Sequence, residues 1–231
     1  MFATKILKMA TKSIGEIPIL TQLYADSTSL LSIAAIESSS SQEPDFPPSD
    51  NINRRIGYMR GDITRLRLDA IVNAANRLLQ GGGGVDGAIN AAAGPELVRE
   101  SAPLGPIETG EAVITKGYNL PAQHVIHTVG PIYREVPNPE ESLASCYRES
   151  LKLAVEHGLR TVAFSAISTG IYGFPSQRAA NVACKTVREF METEDGDNLL
   201  RVVFVTFMPK DVNAYNNALP RYFPPTASEG Q

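Results

Sequence analysis

Residues 73–87 read Asn-Ala-Ala-Asn-Arg-Leu-Leu-Gln-Gly-Gly-Gly-Gly-Val-Asp-Gly, which puts two carboxamides, a run of glycines and one carboxylate in a single short stretch. Adjacent glycines surrender more backbone entropy on folding than an ordinary loop, so bare backbone is needed here, and close approach to a ligand is the usual need. Unsatisfied N–H groups in a glycine turn and at a helix N-terminus converge on an anion such as phosphate, and no lysine is required. Asn76 supplies a neutral amide that can orient hydroxyl groups. Asp86 supplies a carboxylate that can take a proton from a hydroxyl or from an attacking water. As a first-turn acid Asp86 would also answer the helix dipole, which is compatible with catalysis. Asn73 is expected to close strand-end hydrogen bonds rather than touch a reacting atom.

The elements that must position these groups can be read from the pattern around them. Asp69 to Ala74 has the composition of a short buried strand, and Val85 to Ala93 that of a helix start, so the glycines sit in a strand-loop-helix junction. The string Gly82-x-Gly84-x-x-Gly87 matches the dinucleotide fingerprint of Rossmann enzymes, and Glu108 stands near the distance at which that fingerprint expects an acid. Glu108 precedes the next apolar strand instead of ending one, and a spacer separates the glycines from Asn76, so the match is disfavoured. A Walker loop is excluded because no Gly-Lys-Ser/Thr follows the glycines. A second junction, Ser168-Thr169-Gly170-Ile171-Tyr172-Gly173-Phe174-Pro175, also follows an apolar strand and precedes a helix with the stripe Ala179, Ala183, Val187 and Phe190. Ligands of open α/β sheets bind at the carboxyl ends of strands, so the two loops are expected to clamp one diphosphate from two sides.

Short apolar runs near 56–60, 70–73, 112–115, 124–129, 161–167 and 201–206 alternate with helical patterns, which implies an α/β sandwich. A helix is predicted from Pro139 to His157, with Asn138 as N-cap, Glu141 as its capping-box partner and Gly158 as the stop. Its buried stripe is Leu143, Tyr147, Leu151, Ala154 and Val155. The chain has 231 residues, 43% of them hydrophobic, enough for one folded domain with an appendage. Residues 1–50 read as an N-terminal extension, residues 51–225 as the domain and 226–231 as a disordered tail. Ile14 to Leu23 could dock as a short helix, whereas the serine- and proline-rich stretch 27–50 reads as a disordered or loosely draped linker. Lys5, Lys8 and Lys12 make a weak case for organelle targeting.

A net charge of −4 argues against bulk electrostatic binding of nucleic acid. Cys146 and Cys184 have no metal-ligand or disulfide pattern, and no long apolar stretch is present. The expectation is a soluble protein of a reducing compartment, cytoplasmic or nuclear, with mitochondrial import as the weaker option.

Gly61-Asp62-Ile63-Thr64, the 73–87 stretch, Val125-Ile126-His127-Thr128-Val129-Gly130-Pro131 and Ser168 to Pro175, in this order, resemble a macro domain, and the MacroD-type ADP-ribosyl hydrolases in particular. The likeness runs from about Ile56 to Phe223. It implies a three-layer α/β/α sandwich with a mixed central sheet and a cleft for ADP-ribose. The implied reaction removes mono-ADP-ribose from acidic side chains of modified proteins, with deacetylation of O-acetyl-ADP-ribose as a related activity. ADP-ribose and ADP-ribosylated proteins are the implied partners of a monomer with no membrane contact. No cofactor and no metal are implied. Two alternatives stay open: a reader that binds ADP-ribose without turning it over, and an ADP-ribose-1″-phosphate phosphatase.

Carried over by motif, Asp62 would accept a hydrogen bond from the adenine amino group, against the simpler role of a turn cap. The Ile63 backbone would frame the ring, and Phe207 would stack on it or fill the core. Ala75, Gly81, Gly82, Gly83, Gly84 and Val85 form one diphosphate loop. Ser168, Thr169, Gly170, Ile171, Tyr172 and Gly173 form the other, with Tyr172 over the distal ribose and Phe174 as an anchor. Asn76 and Asp86 are the catalytic pair, whereas His127, with its period-two neighbours, reads as structural on ordinary burial habits. Many relatives carry His shortly after this aspartate where the present chain has Asn90, which cannot titrate near neutral pH.

Overall fold

The computed structural model describes residues 10–39 and 43–226. Lys5, Lys8 and the tail beyond Thr226 lie outside the described residues. The strands are β1 (Lys12–Ser13), β2 (Ile56–Arg60), β3 (Leu66–Arg67), β4 (Ala70–Ala74), β5 (Ala112–Lys116), β6 (His124–Thr128), β7 (Thr161–Phe164) and β8 (Arg201–Thr206). The helices are α1 (Leu20–Ala25), α2 (Ile33–Ser39), α3 (Asp50–Asn53), α4 (Gly84–Ala93), α5 (Pro95–Ser101), α6 (Pro139–Glu156), α7 (Ser176–Met191), α8 (Glu194–Asp197) and α9 (Pro209–Tyr222).

Six strands form one sheet in the order β2-β8-β7-β4-β6-β5, parallel except for β5, which runs antiparallel to β6. Strict side-chain alternation divides its residues between two apolar cores. Ala70 and Val72 of β4, Val162 and Phe164 of β7, and Val202 and Phe204 of β8 pack with α6, α7 and α9. Ile71, Ala163, Val203 and Val205 from the same strands pack with Ile89, Ala93 and Leu97 of α4 and α5 on the other face. Two cores on one mixed sheet make the three-layer sandwich that the resemblance implies, and the α/β sandwich that the alternating runs imply. Because five neighbouring strands are parallel, the loops after β2, β8, β7, β4 and β6 emerge along one edge.

α6 differs from its expected cap. Asn138 is the N-cap but its side chain makes no capping bond. Glu141 instead turns to Arg148, with Oε1 and Nη2 2.7 Å apart, because the exposed guanidinium offers it a charged partner. Gly158 ends the helix with φ of +68°, a conformation that costs glycine little. Val155, expected in the stripe, is only half-buried.

The stretch 27–50 is corrected in part: it is not loosely draped throughout. Leu20, Tyr24 and Leu31 lie inside the α6/α7/α9 core, and the Tyr24 hydroxyl donates to the Phe223 carbonyl at 2.6 Å. Arg188, 1% exposed, donates to the carbonyls of Tyr222 (3.0 Å) and Pro47 (2.9 Å) and lies over the Phe46 ring. Composition alone under-reads such a segment, because its few apolar residues find a ready-made surface and its Pro47 carbonyl joins Tyr222 O and the Glu192 carboxylate in satisfying a buried cation.

Candidate active site

The carboxyl edge of the sheet carries most of the residues singled out in the sequence. Along the strand order it presents Asp62 after β2, Phe207 after β8, Ser168 to Phe174 after β7, Asn73 to Gly87 at the end of β4, and Gly130 after β6.

The glycine loop is built by close approach. Gly81 and Gly84 have φ of +77° and +61°, and Gly83 is the N-cap of α4. A Cβ on Gly87 would lie 2.5 Å from the carbonyl oxygen of Gly82, so only glycine lets the helix fold onto its own loop. Gly82, Gly83 and Gly84 are exposed and Val85 is half-buried. Ala75 is buried and donates its N–H to Thr128 O at 2.9 Å. Asn76 braces the loop: its Nδ2 donates to Gly81 O at 2.7 Å and its Oδ1 accepts from Leu78 N at 3.1 Å.

Asp86, in the first turn of α4, is buried. Its Oδ1 accepts from Asn73 Nδ2 and from Asn90 Nδ2, each at 2.8 Å. Its Oδ2 points at the loop, 3.0 Å from where a Cβ on Gly82 would stand. Burial pushes its pKa above the usual carboxylate value, and the two amide donors pull the other way. The expectation for Asn73 was a strand-end role; its side chain in fact reaches Asp86. Asn90 also donates to the Asp86 carbonyl at 2.9 Å and packs 3.3 Å beneath the Cβ position of Gly81.

The second loop rests on a positive φ at Ser168, +64°, unusual for a residue with a Cβ. Its hydroxyl is buried in space left by Gly130, where a Cβ would sit 2.1 Å from Ser168 Oγ. Thr169 is buried, and its carbonyl accepts from Lys210 Nζ, a contact from α9 that no sequence spacing signals. Gly170 and Gly173 are exposed, and Ile171 is 91% exposed. Tyr172 is half-buried, and burial together with the charge of Asp86 raises its pKa. Phe174 is fully buried against Tyr133, with ring centroids 4.9 Å apart, which makes it the loop's anchor. The two loops meet: a Cβ on Gly83 would be 3.9 Å from Ile171 Cδ1.

Asp62 performs its turn-capping role, with Oδ1 accepting from Thr64 N at 2.9 Å and Thr64 Oγ1 at 2.7 Å. Its Oδ2 lies 3.6 Å from Arg65 Nε and the side chain is partly exposed. Ile63 is buried, and Phe207 is 69% exposed, so of its two expected roles the core one is not taken. Asp62, Ile63 and Phe207 share the β2/β8 end of the edge, separate from Asn76 and Asp86. Among the described residues no group of three or more His, Cys, Asp or Glu could hold a metal.

The Macro domain family model matches residues 72–183. The chain is 52% identical over 177 residues to ADP-ribose glycohydrolase MACROD2 of Xenopus laevis, covering 76% of this chain but only 42% of that protein. It therefore spans less than half the length of that relative. It is 55% identical over 168 residues to macro domain-containing protein CT2219 of Chlorobaculum tepidum, covering 72% of this chain and 96% of that one. Among solved structures, the Trypanosoma brucei macrodomain in complex with ADP-ribose superposes with a TM-score of 0.74 at 38% identity, over 90% of this chain and 77% of that one.

Proposed function

The chain belongs to the macro domain family, and on that premise we propose that it hydrolyses mono-ADP-ribose from acidic side chains of modified proteins. The observation that carries the reading is the buried Asp86 carboxylate, whose Oδ1 is held by two amides while Oδ2 faces the glycine loop. A carboxylate so placed can orient and deprotonate a water that attacks the anomeric carbon of the distal ribose; the bond to the ester oxygen breaks, the side chain leaves with the electron pair as a carboxylate, and the proton stays on Asp86 until it passes to solvent. Burial raises its proton affinity toward the range useful for such a transfer.

The rest of the ligand follows the edge of the sheet. Phe207 and the outer carboxylate oxygen of Asp62, Oδ2, suit an adenine ring at the β2/β8 end. Both glycine loops suit the diphosphate, and Asn76 and Tyr172 suit the distal ribose. O-acetyl-ADP-ribose, with an ester on the same sugar, fits the same chemistry. The chain would act as a monomer without bulk nucleic-acid binding, consistent with its acidic balance. Two free, buried cysteines agree with a reducing setting, cytoplasmic or nuclear. No described helix is long and apolar enough to cross a membrane.

The test incubates the chain with a protein mono-ADP-ribosylated on glutamate and follows free ADP-ribose. Asp86→Ala is expected to slow release by roughly 100-fold or more and Asn76→Ala by less. Undiminished release by Asp86→Ala would overturn the mechanism. Calorimetric binding of ADP-ribose with no release by the unaltered chain would make it a reader, and release of phosphate from ADP-ribose-1″-phosphate alone would make it a phosphatase.

A further inference from the structure

Asp86 is coupled to the sheet beneath it through an unbroken line of buried polar side chains. Asn73 and His127 stand opposite each other on neighbouring parallel strands, β4 and β6. Asn73 Nδ2 donates to Asp86 Oδ1 at 2.8 Å and lies 3.1 Å from His127 Nδ1. His127 Nε2 lies 2.9 Å from Thr115 Oγ1 on β5. All three side chains are at least 98% buried, with Asn73 at 0%, His127 at 1% and Thr115 at 2% exposure.

The directions of these bonds follow from one constraint. An amide nitrogen has two hydrogens and no lone pair to offer, so Asn73 Nδ2 can serve both Asp86 and His127 only if His127 Nδ1 is unprotonated. The ring proton then resides on Nε2, where the Thr115 hydroxyl accepts it. That hydroxyl in turn has the carbonyls of Lys116 and Val125 at 3.3 and 3.4 Å.

From this geometry we infer that His127 is a positioning residue for the Asp86 carboxylate, acting through Asn73. A carboxamide can be turned by half a revolution with little change of shape. The turned form would set Asn73 Oδ1 against the carboxylate and against the lone pair of Nδ1, both repulsive. Because the Thr115 hydroxyl gives its own hydrogen to a backbone carbonyl it must accept from Nε2, which keeps Nδ1 unprotonated; the imidazole so fixed adds to the carboxylate in locking the amide with its N–H toward Asp86, and leaves Oδ2 aimed at the glycine loop. An aliphatic residue would fill the same space without this selection. Burial, opposed by the charge of Glu100, holds the His127 pKa down to about 4, so the lone pair persists through the neutral range. The charged and titratable groups facing the line are Glu100 toward His127, and Tyr172 toward Asp86. The catalytic consequence rests on the hydrolase reading above, whereas the tautomer and the bonds do not.

The experiment has an arm for each part. In 15N spectra of the full chain at pH 7, His127 is expected as the Nε2–H tautomer with an accepting Nδ1; an Nδ1–H tautomer or an imidazolium would overturn the inference whether or not the chain turns over. For kinetics, His127→Asn keeps an acceptor near the Nδ1 position, while His127→Leu and His127→Gln do not. Leu and Gln variants are expected to lose roughly tenfold in kcat with KM little changed, and Asn to recover most of the loss. Equal losses in all three, or losses confined to KM, would overturn the positioning role. Should the unaltered chain release nothing, the hydrolase reading falls on its own. The inference is then judged by the 13C titration of the Asp86 carboxyl, expected to move to higher pH in His127→Gln and overturned by no movement.

Discussion

Asn90 Nδ2 stands 2.8 Å from Asp86 Oδ1, one helical turn away, in the place where the family resemblance implies a histidine. The amide supplies a permanent donor that no pH in the working range removes. A neutral donor favours the charged carboxylate, which offsets part of the burial penalty on Asp86.

Replacing Asn90 by Ala is therefore expected to raise the Asp86 pKa further and to shift the acid limb of the pH–rate profile toward higher pH. The rate at neutral pH should fall by roughly tenfold, since a misdirected base loses part of its advantage. An unmoved acid limb in the variant would show that the Asn90 bond does not tune Asp86.

Gly87→Ala places a methyl group 2.5 Å from the Gly82 carbonyl oxygen, so the loop must move. Such overpacking costs about 1–3 kcal/mol. Calorimetric affinity for ADP-ribose should fall together with the melting temperature. In Gly84→Ala, where φ is +61° but the space is open, the cost should be the smaller backbone penalty of about 1 kcal/mol.

Asp86 also makes a prediction about stability. Its pKa is raised in the folded state, so folding favours the protonated acid: the cost is absent below the unfolded-state pKa and complete once pH has risen through the folded-state pKa. Asp86→Asn keeps an acceptor for both amides and removes the buried charge. It should therefore melt at a higher temperature than the unaltered chain at pH 7, with the gap closing as pH falls toward 3. A gap independent of pH would show that the charge is not the cause.

Asp62 has two jobs that a single alanine cannot separate. Asp62→Ser retains a hydroxyl able to cap Thr64 but lacks the second carboxylate oxygen. It should keep its melting temperature while losing affinity for ADP-ribose and not for ribose 5-phosphate. Parallel loss for both ligands would remove the adenine role.

The N-terminal segment should behave as part of the domain. Leu20 is wholly buried in the core beneath α6, α7 and α9, so Leu20→Ala is expected to destabilise the fold by about 2–5 kcal/mol in urea melts. A change below about 0.5 kcal/mol would mean the segment docks without contributing.

What the sequence by itself determined is the local and the periodic. The apolar runs of β4, β7 and β8, the stripe of α7 and the glycine strings are set by neighbours within a few residues, and each maps onto its element here with little displacement. The crevice was legible for the same reason, because parallel strands of one sheet must deliver their loops to one edge. The third dimension decided what no spacing records. Asn73 looked like a strand-end residue until β4 and β6 came into register and set it between His127 and Asp86, residues 54 and 13 positions away. Gly130 belongs to a legible motif, yet its physical reason shows only where Ser168 needs its missing side chain, and Lys210 carries no signal until α9 reaches the second loop. The serine-rich segment looked unable to fold, and alone it has too little apolar surface; against α7 and α9, Leu31, Phe46 and the Arg188 guanidinium give it a place. Such contacts join groups far apart in the chain, and their energy exists only once the sheet has brought them together.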